Sequence, residues 1–406
     1  MRRKRDVLLG AALVALVLVL GVGQSALDRT AVAQSTQAPM FEVDPFWPKP
    51  LPNNWLLGNA IGAWVDDEDH IWIVHRTDAL TGGERGATLD PPTGECCSPA
   101  PPVLQFDQEG NLLSSWGGPG DGYEWPDSNH GLFVDHQGYV WIGGNGGPDS
   151  HILKFTTDGQ FVAQFGRKGA RQQGTGDQGR PIMARDSHDQ ESFGRVAKVT
   201  VDPATNEVYV SDGYFNKRVA VIDGESGAMK RYWGAYGNEP DDDYEFGRRG
   251  PDAEPAQQFR GPVHCADLAN DGLLYVCDRQ SNRIQVFTRE GEFVKEAFFA
   301  PESLGEGSTW DVAFSPDPEQ RYLYLADGRN MKVRIVLRDT LEEITTFGQG
   351  GRYPGMFFGV HSIATDSDGN IYTTETYEGK RLQKFVYKGM GPVRERNQGP
   401  PWPTSN

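Results

Sequence analysis

The feature that most constrains this chain is a short string that recurs six times. The copies are "IWIVHR", "VWIGGN", "VYVSDGY", "LYVCDR", "LYLADGR" and "IYTTETY", centred on Trp72, Trp141, Tyr209, Tyr275, Tyr324 and Tyr372. Most follow a turn signal such as HQG, NDG or DSDG, so each reads as the second strand of a hairpin. All but the last lead into third and fourth strands, as in "ILKFTTDGQFVAQFG" and "IQVFTREGEFVKEAF". Helical periodicity is nearly absent after residue 33. Six units of four short strands predict an all-β fold, a six-bladed β-propeller over residues 55–390. The sixth copy lacks a clear fourth strand. Residues near Phe41–Val43, in the segment 34–54, are expected to supply it and close the ring, and 391–406 form a C-terminal tail.

The connections divide by face. Turns between strands 1 and 2, and between 3 and 4, span two to six residues. Links between strands 2 and 3 and between blades fall on the opposite face, and three are long: 77–100, 167–194 and 235–261. Long loops gathered on one face of a compact fold mark that face for function.

The chain begins "MRRKRDVLLGAALVALVLVLGVGQSALDRTAVAQ", a basic start, an apolar run over Val7–Gly23 and a small-residue cleavage pattern at Ala31–Ala33. Residues 1–33 therefore read as a secretory signal peptide, with an uncleaved membrane anchor as the alternative. The expected location is secreted or periplasmic, with no stable membrane insertion after signal cleavage. Removing the signal takes away five basic and two acidic residues and moves the net charge from −17 to −20. A balance so acidic repels phosphate backbones, which argues against a nucleic-acid partner. Four cysteines in an exported chain can pair. Cys265 and Cys277 are equidistant from the turn at Asp271 and can face each other across a hairpin, while Cys96 and Cys97 are adjacent in a loop; unpaired thiols are the other reading.

Histidines share one register. His130, His264 and His361 each lie eight residues before a turn glycine, Gly138, Gly272 and Gly369. The same offset in the other blades falls on Ile61, Ala197 and Trp310, so the ring reads Ile, His, Ala, His, Trp, His. The first strand of a blade is innermost, so three imidazoles from blades 2, 4 and 6 should converge on the axis. Three histidines with an open fourth position are the donor set of a catalytic zinc ion. His70, His75, His136, His151 and His188 lie outside the register and read as structural.

Second-strand ends crowd the same face and bring Arg76, Tyr214 and Arg279. Guanidinium forks pair bidentately with carboxylates, which suits a small-molecule or peptide substrate carrying one. A tyrosine beside a metal and arginines suits a base.

These strings resemble NHL-repeat propellers and, among them, peptidyl-α-hydroxyglycine α-amidating lyases. The resemblance spans about residues 55–390 and rests on "HGLFVD", "VYVSDGYFNKRV", "CDRQSNRIQVF", "VHSIATDSDGNIY" and "HRTD". It implies zinc on His130, His264 and His361, Tyr214 as base, and Arg76 and Arg279 on the substrate. The implied reaction cleaves the C–N bond of an α-hydroxyglycine unit to an amide and glyoxylate. The chain departs from the pattern in several places. Ser362 stands where the family has a calcium-binding aspartate, and the matching carbonyl positions, Ala63 and Leu132, supply no charge, which argues against calcium. Gly359 stands for a methionine, and Phe215 and Tyr275 for disulfide cysteines. Two other readings stay open: a metal-dependent lactonase or esterase on the same scaffold, and a non-catalytic binding propeller.

Overall fold

The computed structural model describes residues 37–403, so the signal segment 1–33 lies outside the described residues. Within them, helix is confined to five isolated 3-10 turns, and no helix is long and apolar enough to cross a membrane. The strands form six four-stranded antiparallel sheets around an axis, a six-bladed β-propeller. Blade 1 is built from Asn59–Val65, Ile71–Arg76, Val103–Phe106 and Leu112–Trp116, and blade 2 from Asn129–Val134, Tyr139–Gly144, His151–Thr156 and Phe161–Gly166. Blades 3, 4 and 5 begin with Val199–Val201, Val263–Leu268 and Asp311–Phe314. Each first strand packs against the first strands of both neighbouring blades, which makes them the lining of the channel.

The repeated aromatic explains why the blades look alike. All six are almost wholly buried, and in three of them the polar edge is satisfied by the aspartate that opens the preceding turn. Trp72 and Trp141 donate Nε1–H to Asp66 and Asp135 at 2.7 Å, and the Tyr372 hydroxyl donates to Asp366 at 2.8 Å. The other oxygen of each aspartate caps backbone N–H groups inside the turn. One short side chain thus fixes the hairpin and permits burial of a large ring whose N–H or O–H needs a partner.

The ring closes with Gln37–Asp44, which pairs antiparallel with Leu382–Pro392 as the outer strand of blade 6. Phe41 packs on Tyr324 and Phe347 of blade 5, at centroid distances of 5.6 and 5.4 Å. Burying Phe41 and Val43 contributes about 1.5–3 kcal/mol each. The C-terminal tail is also integrated. Backbone N–H groups of Thr346, Gly348 and Val43 donate to the carbonyls of Arg396, Gly399 and Pro401 at 2.7–3.0 Å, so the segment beyond 390 packs along blades 5 and 6.

The long loops are ordered by local pairing. Trp55–Leu56 pairs in parallel with Ser98–Pro99, and Gln172–Thr175 pairs with Pro181–Met183 within the 167–194 loop. Cys265 and Cys277 are directly cross-strand and joined as a disulfide, as are the adjacent Cys96 and Cys97.

Candidate metal centre

His130, His264 and His361 meet on the axis. Their ring centroids are 4.8–5.1 Å apart and all three are buried. Backbone irregularity aims them. The strand register slips by one residue at His264, at His361, and at Gly131 beside His130, and such bulges redirect a side chain. Gly131 has φ +64°, and a Cβ there would stand 2.3 Å from the Ala197 carbonyl oxygen. Only glycine admits that carbonyl, which is the acceptor for His130 Nδ1 at 2.7 Å.

The blades without a histidine have a part in this. His264 Nδ1 bonds the Trp310 carbonyl in the same way. The corresponding carbonyl for His361 is that of Ile61, close enough to favour the charged ring, although Nδ1 forms no hydrogen bond of good geometry. Ala197 and Trp310 therefore act through their backbones, each holding the histidine of the preceding blade, and Ile61 stands in the equivalent place beside His361. A carbonyl on Nδ1 fixes the tautomer and leaves Nε2 as a lone pair.

Burial holds all three imidazoles well below the usual histidine range, helped by His361 at His130, by Arg279 at His264 and by Arg76 at His361. Neutral imidazole is the ligating form. The donor atoms fall within 4.8 Å of one another.

Tyr214 closes the cluster. Its hydroxyl lies 3.0 Å from Nε2 of both His130 and His264 and accepts from Arg279 Nη1 at 3.1 Å. One hydroxyl proton cannot serve two lone pairs, so the cluster is electron-rich and fits a cation. The Tyr214 loop is clamped: the buried Asp212–Arg218 pair at 2.8 Å spans it, and Asn216 donates to Asp212. Gly213 is required, since a Cβ there would stand 2.1 Å from the Val263 nitrogen.

The two arginines differ. Arg76 donates to the Asn129 carbonyl at 3.2 Å and to Asn145 Oδ1 at 2.7 Å, and among the described residues it pairs with no carboxylate. Arg279 lies over the Trp310 ring and is ion-paired with Glu306. Sequence reasoning missed Glu306 and Tyr377. Burial raises the Tyr377 phenol, which sits within the field of Arg279 and Arg76. Glu306 lies in the connection between blades 4 and 5, while Tyr377 ends the repeat "IYTTETY" at the position Tyr214 holds in "VYVSDGY", a signal that could have found it.

Beneath the histidines the channel is crossed by a second polar layer. Lys198 Nζ lies 2.8 Å from both Asp267 and Asp311, all three nearly sealed from solvent. Ser362 donates to Asp311 at 2.5 Å and accepts from the Ala63 N–H at 3.1 Å. Ser362, on which the calcium expectation turns, is thus engaged, and the nearby positive charge is an ammonium. Two carboxylates hold Lys198 charged. Burial nevertheless raises Asp267 to about 7, because one ammonium neutralises only one of the pair. The signal for this layer was present: Lys198, Asp311 and Ser362 each follow a ring position directly.

A cavity of about 10 Å³, the volume of one water, separates the layers. The site opens toward the long loops through a cavity of about 290 Å³ beside Tyr214 and Arg279. A larger cavity of about 670 Å³ lies at the opposite mouth, among the short turns, and does not reach the histidines.

The other histidines are where the register left them. His75 is buried, its Nδ1 accepting from the Gly58 N–H and its Nε2 on the Pro101 carbonyl, and burial lowers it to about 4. His151 bonds the Glu124 carbonyl at 2.6 Å. His70, His136 and His188 sit at turns and loops beside polar neighbours.

No family model matches the chain. It is 35% identical over 193 residues to the peptidylglycine α-amidating monooxygenase of Rattus norvegicus, covering 47% of this chain and 18% of that protein. Against peptidyl-glycine α-amidating monooxygenase B of Xenopus laevis it is 28% identical over 264 residues, 61% of this chain and 25% of that one. It thus spans about a quarter or less of these amidating relatives. NHL repeat-containing protein 3 of Mus musculus is 25% identical over 310 residues, covering 74% and 69%. The chain is a six-bladed β-propeller whose homologues include peptidylglycine α-amidating monooxygenases and an NHL-repeat protein.

Proposed function

We propose that this chain is an exported zinc-dependent lyase that cleaves the C–N bond of an α-hydroxyglycine (carbinolamide) substrate to an amide and glyoxylate. One observation carries the reading: ring nitrogens of His130, His264 and His361 lie within 4.8 Å of one another, with the Tyr214 hydroxyl on two of them and Arg279 on that hydroxyl. The amidating relatives support a link to peptidylglycine amidation.

His130, His264 and His361 are the residues that would hold the ion. Zinc, when bound there, supplies Lewis acidity at the carbinol hydroxyl. The protein's own groups do the rest. Arg76, which has no carboxylate of its own, receives the substrate carboxylate, and Arg279 assists after exchanging Glu306. Tyr214 Oη takes the carbinol hydroxyl proton as its own phenolic proton passes to the amide nitrogen. The O–H electron pair becomes the C=O of glyoxylate as the C–N bond breaks and its electrons pass to that nitrogen. Tyr214 ends the step protonated as it began, so the step is redox-neutral and needs no co-reactant. Positioned proton transfer of this kind is worth about 10²–10⁴ in rate.

The test is metal content by mass spectrometry together with glyoxylate release from an N-acyl-α-hydroxyglycine. Wild type should carry about one zinc per chain and release glyoxylate. His264→Ala should lose both, and Tyr214→Phe should keep the metal and lose about 10²–10⁴ of the rate. Metal-free wild-type protein, or full activity in Tyr214→Phe, would reject the mechanism.

A further inference from the structure

The 290 Å³ cavity beside Tyr214 is lined by more positive charge than the proposed reaction uses. Besides Arg279 it presents Arg185, Lys217 and Arg260, in a chain whose formal charge is −17. The long loops bring two of them, Arg185 from 167–194 and Arg260 from 235–261, to the loop that carries Tyr214 and Lys217.

Lys217 is the telling residue. It is only 6% exposed, and its ammonium rests 4.3 Å above the Phe246 ring, which Arg260 also covers at 4.7 Å. Among the described residues, no carboxylate lies within ion-pair distance of Lys217 or Arg260, and Arg185 approaches Asp242 only at 3.9 Å. The acidic group on the cavity wall, Glu306, is committed to Arg279. Burial and the neighbouring Arg185 weigh against the charged form of Lys217, and the more distant Asp242 and Asp241 offset them only in part. A nearly buried ammonium on a ring face, beside two further cations and open to a cavity, is an arrangement that an anion completes.

We propose that Lys217, Arg185 and Arg260 form an anion subsite adjoining the metal centre, which receives a second carboxylate of the substrate, carried next to the reacting unit. The inference rests on the proposed lyase reading for what the neighbouring site does, and not for the charge preference itself. The preferred substrate is then an acidic acyl-α-hydroxyglycine and not a neutral one.

The test compares isosteres that differ only in charge. Binding of N-acetyl-glutamyl-glycine and N-acetyl-glutaminyl-glycine to the purified full chain is measured by calorimetry. Glyoxylate release is measured from the matching α-hydroxyglycine compounds. Wild type should favour the glutamyl member about tenfold in Kd and in kcat/KM, and the preference should shrink in about 0.5 M salt. Lys217→Gln and Arg260→Gln should each remove most of the ratio, and Lys217→Arg should restore it. Equal binding of the two peptides by wild type, or a preference that survives both glutamine variants, overturns the subsite. Absence of glyoxylate from either compound, with the calorimetric preference and its loss in Lys217→Gln intact, removes the lyase reading and leaves the subsite standing.

Discussion

Two polar layers cross one channel, and they are built differently. In the upper layer three neutral imidazoles face one hydroxyl, with fewer protons than lone pairs. In the lower layer Lys198 brings its own cation to Asp267 and Asp311, and Ser362 satisfies the remaining Asp311 oxygen. Adjacent residues feed the two: Ala197 and Lys198, Trp310 and Asp311, His361 and Ser362. The upper layer has donors that fit a cation the chain does not supply, while the lower is charge-balanced to within one proton by the chain itself. The same scaffold positions therefore yield two unlike layers, and the difference is that only the lower carries its cation as part of the chain.

Removing that cation should break the comparison most visibly. Lys198→Met strands two buried carboxylates and should cost about 3–5 kcal/mol in denaturant unfolding. A triple variant that also replaces Asp267 and Asp311 by leucine should recover most of the loss, since apolar substitution of a whole buried ion cluster is often neutral. A Lys198→Met protein of wild-type stability would show the lower layer to be dispensable. Acid provides the next largest effect. His75 is held at about 4 against an unfolded value near 6.5, so its protonation favours unfolding. The contribution, about 3 kcal/mol, is present above pH 6.5 and lost as pH falls toward 4. Asp267 has the opposite sign: its raised pKa favours folding when protonated, so its contribution fades as pH rises from the unfolded value toward 7. Unfolding free energies at pH 7.5 and 4.5 for wild type and His75→Asn should show the smaller acid loss in the variant. An unchanged slope would place the acid response elsewhere. The smallest effect concerns Arg279. Glu306→Gln frees its guanidinium and should lower KM for the carboxylate substrate by about two- to fivefold, the worth of a partly exposed ion pair. A raised KM would make Glu306 a substrate contact instead.

Much of this could be read from the chain before any coordinates. The turn aspartate, the aromatic six residues later and the histidine eight before the glycine are all local, so repetition exposes them. Pairing across blades is not local. Lys198 meets Asp311 from 113 residues away, and Phe41 pairs with Tyr387 at the far end of the chain. The closing strand was legible because one blade was a strand short and the segment around Phe41–Val43 lay just before the first blade. Glu306 had no such deficit to announce it, since it lies in a blade-to-blade connection where no register constrains which side chain turns inward. Tyr377 shares the repeat position of Tyr214, so repetition marks it as well. The second-strand arginines were found by position, yet position did not say that one of them already holds a carboxylate.

The lysine layer also decides traffic. With Lys198, Asp267 and Asp311 sealing the axis, the propeller is a cup and not a pipe. Whatever reaches the histidines comes and goes through the long-loop mouth, so arrival and departure compete for one opening. The loops 167–194 and 235–261, which shape that opening, then govern how quickly the site empties, and the rigid blades govern only what happens inside it.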